Sequence, residues 1–76
     1  MSKKTAESVL KKARAENVPV LVVVAKDKCS LAAVRAYYEE CVKQECSNSH
    51  VDGVVHIERD FRTFQANNSD KVKLPD

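Results

Sequence analysis

Three groups of side chains in this 76-residue chain are of the types from which reactive or ligand-binding sites are built. The first is Cys29, which follows Lys26-Asp27-Lys28 and opens a helical pattern. A thiol at a helix start between lysines lies where the helix dipole and positive charge favour thiolate, the form used in redox and acyl-transfer chemistry. The second is Cys41, Cys46, His50 and His56, a C-x4-C-x3-H-x5-H series of zinc-ligand types. Structural zinc sites usually open with two cysteines about two to four residues apart on a tight turn. Five residues along a continuing helix would instead turn Cys46 about 140° away from Cys41. No metal is therefore expected, and Cys41 reads as a small buried hydrophobe. The third group is His56, Glu58, Arg59, Asp60 and Arg62. On a strand, His56 and Glu58 would share a face, the beginning of an acid–base pair. No nucleophile, second carboxylate on that face or glycine-rich phosphate loop accompanies them, so alternating charge on a solvated sheet face accounts for the group.

The elements that must position these groups follow from periodicity. From Ser2 to about Glu16, Ala6, Val9, Leu10 and Ala13 form one stripe with lysines and Glu7 opposite, which predicts an amphipathic helix. Asn17 suits a left-handed cap, and Val18 before Pro19 is pushed to extended geometry. Residues 20–25 are apolar without alternation and rich in valine, the mark of a strand covered on both faces, so the centre of the core is expected there. Asp27 or Ser30 can cap a second helix, Leu31 to Gln44, with Leu31, Val34, Tyr38, Cys41 and Val42 on one face. Cys46 to His50 is a turn, and Gly53 introduces a second strand, Val54 to Glu58. If the strands share a sheet, the crossover between them is parallel and right-handed. Phe61 and Phe64 fit a helical turn, or Phe61 and Thr63 one face of a strand paired back on 54–58. Asn67 to Asp70 is a turn, and Val72 to Leu74 is an edge strand or part of a loose tail over 70–76. The expected fold class is α/β: one small two-layer domain, 1–76, in the order α-β-α-β with a possible additional C-terminal strand.

Residues 5–45 resemble the first half of a thioredoxin-like domain: a helix, then Glu16-Asn17-Val18-Pro19-Val20-Leu21-Val22, then Cys29 opening the next helix. Ala32 stands where that family has the second cysteine of its C-x-x-C. The family's tryptophan before the motif is absent, and Pro75, beside the C-terminus, is no match for its cis-proline. The resemblance implies a single-thiol protein acting through Cys29, or a binding module without redox activity.

Composition narrows the functional classes. Hydrophobic residues at 43% and charged ones at 32% fit a folded domain rather than a disordered segment. No apolar run approaches the roughly 20 residues of a membrane span, and the N-terminal lysines lead into an amphipathic pattern rather than a signal peptide. Three cysteines, an odd number, fit reduced thiols in the cytoplasm. Residues 1–28 carry seven Lys and Arg against three acids, the remainder six against eight. Nucleic-acid binding through this basic first helix is the weaker alternative, since no arginine cluster or aromatic stacking pair supports it. A chain this size buries only about 60% of its unfolded surface, so a partner can contribute much of the missing burial. The expected function is a non-enzymatic, cofactor-free protein-interaction module, an adaptor or inhibitor, binding a protein partner or itself through a sheet edge and a charged surface. Arg59, Phe61, Arg62, Tyr37 and Tyr38 are the candidate contacts, because arginine and aromatic side chains most often anchor interfaces.

Overall fold

The computed structural model describes residues 5–75. It holds three helices, α1 (Ala6–Ala15), α2 (Ser30–Lys43) and α3 (Asn48–Asn67), followed by a single 3-10 turn, Ser69–Lys71. Among the described residues there is no strand, only an isolated parallel bridge between Asp27 and Lys73. The fold is therefore all-α, and the α/β, two-layer expectation with its right-handed crossover is overturned.

The first helix forms as its stripe predicts, starting at a Thr5 cap whose side chain accepts from the Ser8 N–H while the Ser8 hydroxyl accepts from the Thr5 N–H. The Ser2–Lys4 part of the expected helix lies outside the described residues. At the other end Asn17 takes the left-handed conformation, φ 57°. The Val18 and Asn17 N–H groups then donate to the carbonyls of Ala13 and Arg14, a Schellman motif. Yet α1 approaches no other helix. Of its apolar stripe only Ala13 is buried, while Val9 and Leu10 face solvent.

The expected central strand, residues 20–25, does not form: residues 20–24 are irregular and Ala25 begins a turn. Leu21 is 85% exposed, Val22 64% and Val20 54%, so this run is surface and not the centre of the core. Only Val23 reaches the core, with Ala25 and Asp27 half-buried on the same side of the chain. Residues 5–24 thus form an arm. The radius of gyration, 13.9 Å, exceeds the roughly 11 Å of a compact chain of this length.

The core lies between α2 and α3, joined as an antiparallel hairpin by the short turn 44–47. Val34, Cys41 and Val54 are buried at the seam, with Tyr38, Val51, Phe61 and Val23 packed around them. The second expected strand, Val54 to Glu58, is the middle of α3, and the expected turn 46–50 ends at Ser47, whose hydroxyl caps α3 at His50. The reason is spacing. Val51, Val54, Glu58, Phe61, Phe64, Gln65 and Asn68 are the less exposed positions of this segment, spaced mainly at steps of three and four, and meet a similar series in α2, Leu31, Val34, Tyr38 and Cys41. That stripe outweighs the local β-propensity of Val-Val-His-Ile, and it places Phe61 and Phe64 on a helix.

A polar staple closes the open end of the hairpin. The Gln65 amide donates to the carbonyls of Ala25 (3.1 Å) and Asp27 (3.2 Å) and lies 3.4 Å from the Ser30 hydroxyl. The expected edge strand Val72–Leu74 is reduced to the bridge at Lys73, whose N–H donates to the Lys26 carbonyl while its own carbonyl accepts from the Lys28 N–H. The tail is thereby tied down as far as Lys73.

Val22→Asp should change stability by no more than about 0.5 kcal/mol, whereas Val54→Ala at the seam should cost about 2 kcal/mol. Gly53 lies inside α3 with nothing within 4 Å of the Cβ position it lacks. Gly53→Ala should therefore stabilise by about 0.5–1 kcal/mol, an upward melting shift of several degrees. Urea and thermal melts of the three variants check these values.

Candidate functional site

Cys29 is exposed at the start of α2, as the sequence suggests. Its N–H donates to the Asp27 carboxylate at 2.7 Å, so an anion already occupies the helix start on which a thiolate would draw. Lys26 and Lys28 point to solvent nearby.

The charged group from His56 to Arg62 lies on α3, not on a sheet face. His56 and Glu58 are two residues apart on a helix and so do not share a face. His56 Nδ1 instead pairs with Arg59, one turn on. Arg62 forms an ion pair with Glu58 at 3.2 Å, its own side chain 60% exposed. Arg59 and Arg62 are surface residues, whereas Phe61 and Tyr38 pack against the seam and expose only part of their rings. Tyr37 is exposed, with its hydroxyl 3.0 Å from His50 Nε2 and its ring edge-on to the imidazole.

The turn between α2 and α3 gathers residues that a continuous helix would have separated. Glu45 takes the left-handed conformation, φ 58°. The Cys46 N–H donates to the Cys41 carbonyl at 3.0 Å and the Glu45 N–H to the Val42 carbonyl at 3.1 Å. This second Schellman motif folds the residue after the turn back over the last turn of α2. Cys46, exposed, and Cys41, buried, thus become neighbours, with Tyr37 one turn earlier and His50 one turn into α3. Among the described residues no three His, Cys, Asp or Glu side chains converge as a metal site. Partial desolvation, then hydrogen bonding to Cys41, raises the Cys46 thiol above its ordinary value. Hydrogen bonding to Cys41, then burial, raises the Tyr37 phenol.

Most of the exposed large apolar residues lie on the arm. Val9, Leu10, Val18, Val20, Leu21, Val22 and Val24 are all exposed. Together they leave on the order of 600 Å² of apolar side chain in water. Between Val20 and Val23 no backbone N–H or C=O has a hydrogen-bond partner among the described residues. Val24 also borders an open groove of about 540 Å³ rimmed by Lys26, Asp27, Lys73 and Leu74. The sequence carries the signal for this surface, a charge-free valine run, but the same run is also what a buried strand looks like.

No family model, curated protein or solved structure matches this chain. No described helix is long and apolar enough to cross a membrane.

Both the Cys46 and Tyr37 groups hold their protons more tightly in the fold, so the stability they contribute is present below the ordinary thiol and phenol values and is lost as pH rises through the raised ones. In a Cys29→Ser chain, Cys46 alkylation should reach half its limiting rate at a pH above the roughly 8.5 of an unstructured cysteine peptide. A midpoint at or below the peptide's, followed by mass spectrometry of the 44–59 peptide, would contradict the packing of the turn.

Proposed function

We propose that the protein is a small non-catalytic protein-binding module whose contact surface is the arm, above all residues 18–24. The observation that carries this reading is a charge-free run outside any helix, with no backbone hydrogen-bond partners from Val20 to Val23 and with Val20, Leu21, Val22 and Val24 exposed. Such a segment is suited to strand addition, in which main-chain hydrogen bonds give affinity and alternate side chains fill pockets on the partner. Arg59, Arg62 and Tyr37 are exposed on the hairpin and are further candidate contacts. The single-thiol alternative rests on the exposure of Cys29. Nucleic-acid binding rests on Lys11, Lys12 and Arg14 of α1, all exposed.

A second copy of the chain is the simplest partner. An antiparallel pair of 18–24 segments brings no like charges together. Burying both arms would cover on the order of 1,200 Å², the lower end for a specific interface.

Amide exchange read against concentration tests the proposal. In dilute monomer the Val20–Val24 amides should exchange nearly unprotected, and they should gain protection in a complex, with Leu21→Asp abolishing that gain while leaving the melting temperature unchanged. Self-association with protection at these amides would identify the second copy as partner. Strong protection already in the dilute monomer would sink the reading, because the segment would then not be free to pair.

A further inference from the structure

The first two helices end in the same Schellman geometry, which brings together residues five apart. At the end of α1 the juxtaposed pair is Ala13 and Val18, and at the end of α2 it is Cys41 and Cys46. We propose that Cys41 and Cys46 form a modification site, a dithiol converted reversibly into an intrachain disulfide by small-molecule disulfides of the glutathione type.

The backbone sets the geometry. With the Cys46 N–H 3.0 Å from the Cys41 carbonyl oxygen, covalent bond lengths hold the two Cα atoms within roughly 7 Å. Disulfides span Cα separations up to roughly that limit. The Schellman motif also turns the side chains of its first and last residues toward each other, a place normally filled by an apolar contact such as the Ala13–Val18 pair. The two thiols differ in access. Cys46 is exposed and meets a reagent from solvent, whereas Cys41 is 3% exposed at the helix seam, where a bulky reagent does not enter. Cys29 lies at the opposite end of α2 and does not compete for either partner.

The exchange balances in two steps. Cys46 thiolate attacks one sulfur of glutathione disulfide, forming a Cys46–glutathione bond and releasing one glutathione thiolate. Cys41, its proton given up to solvent, attacks the Cys46 sulfur, forming the Cys41–Cys46 bond and releasing the second glutathione thiolate. Two electrons pass from the protein to glutathione, and the two protons end on the released thiols. Reduced glutathione reverses both steps.

The pair is independent of the arm, so the test stands whether or not the arm binds a partner. Full-length Cys29→Ser chain is equilibrated in glutathione redox buffers, its remaining thiols are blocked at acidic pH, and it is digested with trypsin. Lys43 lies between the two cysteines, so peptides 36–43 and 44–59 remain joined only through the disulfide. The expected result is this joined pair, lighter by two hydrogens than the sum of the free peptides. Its equilibrium constant against glutathione should be at least about tenfold higher in the folded chain than in guanidinium. A glutathione adduct on Cys46 with no joined pair would overturn the proposal. So would a constant no higher folded than unfolded, since the fold would then contribute nothing to the pairing.

Discussion

The antiparallel seam of Val34, Cys41 and Val54 is the contact on which the rest of the structure depends. An isolated helix of 14 residues is marginal in water, and the 20-residue α3 carries Gly53 in its interior, a cost to helix formation. Burial against each other stabilises both. The staple from Gln65 then fixes the register, because its amide reaches the Ala25 and Asp27 carbonyls only when the end of α3 lies beside the start of α2. Lys73 bonds on both sides of Asp27, so the C-terminal segment is held at that same corner.

With so thin a core, the hairpin covers little beyond itself. The arm of residues 5–24 keeps an apolar helix stripe and a valine run in water, touching the seam mainly through Val23. Exposed apolar surface of this extent, next to unpaired backbone, is unfavourable for a monomer and favourable for association. The proposed binding role follows from that imbalance rather than from any catalytic grouping.

The cysteines show how a capping motif can create chemistry. A Schellman turn needs only a left-handed residue and an apolar pair to close it. Ala13 and Val18 supply that pair at α1, while at α2 the same positions hold thiols, so a structural contact becomes a redox-capable one.

The sequence by itself determined the helices whose signals are local. The α1 stripe, the left-handed Asn17 and the span of α2 were all legible, since a helix makes its hydrogen bonds within a few residues and asparagine tolerates positive φ. The left-handed geometry of the turn at Glu45 was not, because glutamate gives no sign of it; helix spacing alone put Cys41 and Cys46 on different faces. The stripe of α3 was hidden because Gly53 and a polar turn-prone stretch broke the pattern before Val54, and the short run after them matched a strand. Arg59 and Arg62 were legible as exposed, whereas Phe61 is held at the seam. Only the tertiary structure decided what became of residues 20–25. A strand's hydrogen bonds lie outside itself, so a valine run becomes sheet or exposed arm according to whether another segment is free to pair with it, and here the second half of the chain is a helical hairpin whose backbone bonds are made within its helices.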